Sequence, residues 1–228
     1  MGANCSSGTI IWWEIPLHSF PAHSRWEECL SKDEIARRDR FATSLLRQRF
    51  YATRVACRGL LGNLLSRNPA GLEFVVSAHG KPSLRDIGWQ FNVTHSEDIM
   101  LLAASASYPV GIDVEYVKRR IEIEAVGRRF FLPEEMDAID GDHRRFLQVW
   151  TAKEAVLKAL GTGIAGGLEA IRIDLNPVRL GACTLPGGPV SLQALTVHSD
   201  YIAALAAVTE SKPCVEQQPW PGWERLMN

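Results

Sequence analysis

The stretch "PVGIDVEYV" (109–117) reads as an apolar β-strand interrupted by two carboxylates, Asp113 and Glu115. Side chains two apart on a strand share a face. Asp113 and Glu115 therefore project together, while Ile112 and Val114 point the other way into a core. Two carboxylates held close repel, and one takes up a proton unless a cation sits between them. Mg²⁺ is the natural cation, because it prefers carboxylate oxygens, keeps waters and bridges to substrate phosphates. Taken alone, a D-x-E pair fits a solvated acidic strand face better than a metal site.

The same strand divides the chain into two similar layouts. Upstream, "TIIWWEIPL" (9–17) is a β-type run. Residues 31–66 read as one long helix or two consecutive ones, with Ser31 and Glu34 as a capping box. "NPAG" (68–71) stops that helix. "LEFVVS" (72–77), "WQFNVTHS" (89–96) and "IMLLAAS" (99–105) read as strands, and "AHGKPSL" (78–84) as a loop. Downstream, helices are expected at 121–130, 133–140 and 143–160, then a short strand in "AGGLEAIRIDLN" (165–176). "VSLQALTVH" (190–198) and "YIAALAAVT" (201–209) form a closing hairpin, and the Pro- and Trp-rich tail from 211 is extended. The expected fold is α+β, with two similar subdomains, 1–107 and 108–228, in a pseudo-twofold arrangement. Each is a small antiparallel sheet packed by a long helix, and a ligand belongs in the cleft between them.

Composition narrows the function classes. The 228 residues are 46% hydrophobic and 22% charged, which suffices for a sizeable core. A net charge of −1 attracts neither nucleic acid nor an anionic membrane, so anion binding must come from local clusters of Arg and Lys. No apolar run approaches the roughly 18 residues of a membrane span, and the N-terminus has no signal-peptide pattern. Gly2 and Ser6 match a myristoylation pattern that flexible small-residue termini also carry. Five cysteines without a C-x-x-C pair indicate neither disulfides nor zinc, so a cytoplasmic location is expected.

Three further stretches carry chemistry-bearing residues. "FLQVWTAKEAVLKALGTGI" (146–164) is a helix ended by Gly161 and Gly163. Glu154 and Lys158 share a face at i, i+4, which by itself describes a common surface pair. Arg40, Arg47, Arg54 and Arg58 are spaced by 7, 7 and 4, suggesting one helix side that could grip phosphate. "HGKP" (79–82) and "FNVTHS" (91–96) place Lys81, Thr94, His95 and Ser96 at strand ends, and a lone His is more often structural.

Together, "GKP", "FNVTHS", "GIDVE", "RRFFLPEE" and "WTAKEAVLKALGTG" occur in an order and spacing that resembles the 4′-phosphopantetheinyl transferases. The likeness is to the long, monomeric kind that activates surfactin-type peptide synthetases, and it spans roughly 37–164. It implies transfer of the phosphopantetheine arm of coenzyme A to a serine of an apo acyl or peptidyl carrier protein, releasing 3′,5′-ADP. By matching motif positions, Asp113, Glu115 and Glu154 would hold Mg²⁺ (Mn²⁺ substituting), with Glu154 also the general base. Lys158 would sit by the pyrophosphate, and Lys153 would contact phosphate. His95 and Ser96 would meet the nucleotide phosphates, and Lys81 and Pro82 would border the adenine. Arg40, Arg47 and Arg58 would grip the 3′-phosphate. Thr94 stands where the family often has Ser, and keeps the hydroxyl. Trp150, Phe130 and Phe131 are read as packing residues, and 116–147 as the carrier-recognition stretch. A non-catalytic coenzyme A-binding protein on the same fold is the alternative. It is disfavoured because Asp113, Glu115, Glu154 and Lys158 are all present.

Overall fold

The computed structural model describes residues 8–21, 24–163 and 167–226. The Gly2 and Ser6 pattern lies outside them. Two mainly antiparallel sheets, each packed by a long helix, organise the chain. The first sheet holds β1 (Thr9–Pro16), β4 (Gln90–Ser96) and β5 (Ile99–Ser105), in the order β1-β5-β4. The second holds β6 (Val110–Tyr116), β9 (Val190–Leu195) and β10 (Tyr201–Val208), in the order β6-β10-β9. The expected hairpin is present, and β10 also pairs along β6, with Ala204 opposite Asp113.

Strand alternation explains the layering. On β1, Ile11, Trp13 and Ile15 pack with Val55, Leu60 and Leu61 of helix α2 (Ser44–Leu65). On β10, Ala204 and Ala206 pack with Val149, Ala152 and Val156 of helix α5 (His143–Leu160). The opposite faces of both sheets share one cluster, in which Ile10 and Trp12 meet Ile112, Val114 and Leu205. Ile112 and Val114 thus point away from Asp113 and Glu115, as a strand requires.

Helix α5 lies very close to β6. A Cβ on Gly111 would stand 2.1 Å from the Ala155 carbonyl oxygen and 2.3 Å from the Ala159 nitrogen. Only glycine permits that approach, which brings the middle of α5 alongside the strand bearing Asp113.

Several elements differ from the sequence reading. The 31–66 helix is two: α1 (Lys32–Asp39), opened by the Ser31–Glu34 capping box, and α2, opened by Thr43. "HGKPSL" is not a loop throughout, because β3 (Pro82–Leu84) pairs with β2 (Phe74–Val76). Between β6 and α5 lie α3 (Ile123–Phe130) and α4 (Pro133–Ile139), near their expected positions. Ile173–Asp174 (β7) pairs with Arg179–Leu180 (β8) in a separate two-stranded sheet.

The tail corrects the 108–228 boundary. Cys214–Gln217 forms β11, parallel to β1, and Trp223 and Leu226 enter the α2 core. A Cβ on Gly59 would stand 2.3 Å from Leu226 Cγ, so α2 leaves room for the tail. The last residues therefore complete the first half of the fold, not the second.

Candidate active site

The two sheets meet where β4 runs beside β6, and side chains stitch the seam. Asn92, Thr94 and Ser96 alternate along β4, so they share a face. The Ile112 backbone N–H donates to Asn92 Oδ1 at 2.9 Å, and the Tyr116 N–H donates to Ser96 Oγ at 3.0 Å. Thr94 Oγ1 donates to Asp113 Oδ1 at 3.1 Å, and Ser96 Oγ donates to Glu115 Oε2 at 3.3 Å. The N-x-T-x-S alternation inside "FNVTHS" thus binds two backbone N–H groups of β6 and one oxygen each of Asp113 and Glu115. Asn92 was missed in the sequence reading, although a polar residue at every second position of an apolar strand is its signal.

Asp113 and Glu115 are both buried, at 5% and 8% exposure. Each has a cationic partner. Lys158 donates to Asp113 Oδ1, and also approaches the Ile112 carbonyl at 3.4 Å. Arg119 donates to Glu115 Oε1. Among the described residues, the carboxylate oxygens Asp113 Oδ2 and Glu154 Oε1 are buried without a hydrogen-bond partner. Burial pushes the Glu154 pKa up, and the charges of Asp113 and then Glu115 add to this against the opposing Lys158. Buried acceptor oxygens that lack donors suit a hard cation. Among the described residues, no three His, Cys, Asp or Glu side chains stand together as a ready cage. Glu115 is instead turned to Arg119 and Ser96. The donor set fits a divalent oxygen-seeking metal in kind, with Asp113 and Glu154 offering the free oxygens.

A cleft of about 970 Å³ opens beside this cluster, which is ample for a nucleotide-sized ligand. Pro82, His95, Ser96 and Glu115 line it, as do Arg37, Arg49, Arg54 and Arg119. Arg49 donates to Glu97 and Asp98, at 2.9 and 3.0 Å, while its buried Nε has no partner. Arg54 is held by Glu34, which also accepts from Arg58, and both guanidinium groups lie over the Phe74 ring. Desolvation, together with the Arg49 and Lys158 charges, lowers the His95 pKa.

Three expected ligands, Arg40, Arg47 and Lys153, sit away from the cleft, and Arg58 is tied into its wall. Arg40 and Arg47 are exposed and do not line the cleft. The break between α1 and α2 separates Arg40 from the other three arginines, and Arg37, Arg49 and Arg54 line the cleft. Arg58 lines the cleft but is 3% exposed, and donates to Glu34 and to the Pro69 and Leu72 carbonyls. It is committed inside the wall. Lys153 is fully buried on the far side of α5, in an ion pair with Glu135 at 2.6 Å. It also donates to the Phe130 and Leu168 carbonyls, so it cannot reach a phosphate in the cleft. Glu135 in turn accepts from the Leu132 and Ile173 backbone N–H groups. Lys153→Met should therefore cost about 3–5 kcal/mol by leaving Glu135 buried and uncompensated. Urea denaturation measures this, and a loss near zero would show that the pair is dispensable.

Lys81 is also not at the cleft wall. Its Nζ donates to the Val110 carbonyl of β6 and the Ala159 carbonyl of α5, each at 3.1 Å, so it ties the first half to the second. Burial lowers its pKa from 10.5 to about 8. The folded protein thus binds fewer protons than the unfolded chain between those values, and stability rises with pH there. Below about 8 the folded state keeps a buried ammonium at a cost. Denaturation of wild type and Lys81→Met should show the difference between them moving in favour of wild type as pH rises from about 8 to about 10. A difference independent of pH would place Lys81 in solvent.

Phe130, Phe131, Phe146 and Trp150 pack on one another, with Phe146 and Trp150 stacked at 6.4 Å, as the packing assignment requires.

The sequence resembles known proteins over the same segments. The profile of the 4′-phosphopantetheinyl transferase superfamily matches residues 109–206, from "GIDVE" through β10. The 4′-phosphopantetheinyl transferase HetI of Nostoc sp. is 36% identical over 213 residues, covering 88% of each chain. A 4′-phosphopantetheinyl transferase of Bacillus subtilis is 30% identical, over 70% of this chain and 78% of its own. The 4′-phosphopantetheinyl transferase Sfp of Bacillus subtilis strain 168 is 29% identical, over 73% of this chain and 80% of its own. With likeness that runs through both halves and the acidic seam between them, the chain belongs to the 4′-phosphopantetheinyl transferase superfamily.

Proposed function

We propose that this protein transfers the 4′-phosphopantetheine arm of coenzyme A to a serine hydroxyl of an apo acyl or peptidyl carrier protein, releasing 3′,5′-ADP. One observation carries the reading most directly. An arginine-lined cleft of about 970 Å³ has Glu115 in its wall, two positions along β6 from Asp113, whose Oδ2, like Glu154 Oε1, is buried without a donor among the described residues. The cleft suits an anionic nucleotide, and the carboxylates suit the cation that a pyrophosphate needs.

In this reading the first half of the chain holds coenzyme A, and the second carries the acidic and lysine groups. Arg37, Arg49 and Arg54 face the anionic end of the ligand, with Pro82, His95 and Ser96 beside it. Asp113, Glu115 and Glu154 would hold Mg²⁺, whose charge would offset that of the pyrophosphate. Glu154, raised in pKa by its buried setting, takes the proton of the carrier serine. The serine oxygen forms a bond to the β-phosphorus as the bond to the bridging oxygen breaks, and that oxygen leaves with 3′,5′-ADP. Lys158 stabilises charge on the leaving group. The exposed basic residues Arg120, Arg128, Arg129, Arg144 and Arg145, within 116–147, suit an acidic carrier helix. The protein acts as a cytoplasmic monomer on carriers of nonribosomal peptide or polyketide assembly. No helix among the described residues is long and apolar enough to cross a membrane.

Incubation with coenzyme A, Mg²⁺ and a panel of apo carriers, read by mass spectrometry, tests the proposal. One phosphopantetheine mass should be gained on wild-type carriers, and none on a carrier whose acceptor serine is alanine. No gain on any carrier would overturn it.

A further inference from the structure

Resting on that reading, we propose that Arg119 is an exchangeable partner of Glu115. It competes with the divalent metal for that carboxylate, and once displaced it grips the anion in the cleft. Glu115 is the one carboxylate of the three that lines the cleft. Its side chain is only 10% exposed, whereas that of Arg119 is 53% exposed, so the pair joins a fixed anion to a mobile cation. Glu115 stays anchored on β6 by Ser96, while Arg119 sits past the strand end, where its N–H closes a turn onto the Tyr116 carbonyl. Arg119 itself lines the cleft, so losing Glu115 leaves its planar donors facing any phosphate there. Lys158 holds Asp113 in a similar way but is less free. It rises from α5, is 28% exposed, and shares its Nζ between Asp113, Thr94 and the Ile112 carbonyl.

A purely structural ion pair would move both affinities together or neither. Partner exchange gives opposite signs. Mn²⁺ uptake by the protein without coenzyme A, followed through the electron paramagnetic resonance of free Mn²⁺, should be about fivefold tighter in Arg119→Gln. Coenzyme A affinity at saturating Mg²⁺, by calorimetry, should be about fivefold weaker in the same variant. Arg119→Lys should stay near wild type in both. Arg120→Gln, which removes the neighbouring exposed charge, should leave Mn²⁺ affinity near wild type and so exclude a general field effect. Unchanged or weaker Mn²⁺ binding in Arg119→Gln, or unchanged coenzyme A binding, overturns the exchange while the metal assignment stands. Failure of wild type itself to take up Mn²⁺ overturns the metal assignment and the exchange with it.

Discussion

Asp113→Asn should lower kcat/KM for phosphopantetheinyl transfer by about 10³-fold, measured as mass gain of an apo carrier over time. The substitution keeps shape and volume. Asparagine still offers an oxygen to Thr94 Oγ1, 3.1 Å away in the native protein. What it removes is charge. Lys158 loses its counter-ion, and the buried Oδ2, which has no donor, becomes an amide nitrogen that repels a cation. The stability cost should stay below that of Lys153→Met, because Lys158 is 28% exposed and can turn to solvent when its counter-ion is lost. A loss below about tenfold would remove Asp113 from the metal site and leave it a strut for Lys158.

Glu154→Gln should reduce kcat by about 10²- to 10⁴-fold while coenzyme A still binds. Binding survives because Glu154 is not among the residues lining the cleft. Its role depends on its place on α5, which Gly111 lets press against β6. Its unpartnered Oε1 and raised pKa describe a carboxylate poised to accept a proton. Glutamine has the same size but accepts no proton. Parallel calorimetry and turnover separate the two effects, and unchanged turnover would take Glu154 out of the chemistry.

The backbone was largely legible from local pattern. Short apolar runs rich in strand-forming residues marked β1, β4, β5, β6 and β10, and the Ser31–Glu34 box marked the start of α1, because these signals act within a few residues. The helix break at 40–43 was less visible, since Phe41 and Leu45 keep helical spacing across it. That break misdirected the arginine assignment. A seven-residue interval describes one face only while the helix continues, so the break takes Arg40 off that face, whereas Arg47 and Arg54 both lie on α2, where Arg47 is exposed in the first turn and Arg54 lines the cleft.

Lys153 and Glu154 show the sharper limit. Neighbours on a helix point about 100° apart, so one side chain enters the core when the other faces the seam. Which does which depends on Glu135, a partner supplied by another helix. Arg58, likewise, is claimed by Glu34 and two carbonyls that lie 11 to 24 positions away.

The sequence by itself determined the chemistry available: two carboxylates on one strand face, a glutamate and a lysine one helical turn apart, and an ordered motif set naming the family. Only the tertiary structure decided which charged groups meet. Local periodicity dictates direction along an element but carries no information about the partner that faces it. Asn92, Thr94 and Ser96 joined β6 to β4, Arg119 found Glu115, and the tail joined the first sheet through contacts between segments far apart in the chain. Buried charges and donors must be satisfied wherever the fold brings them, and that requirement is settled in space.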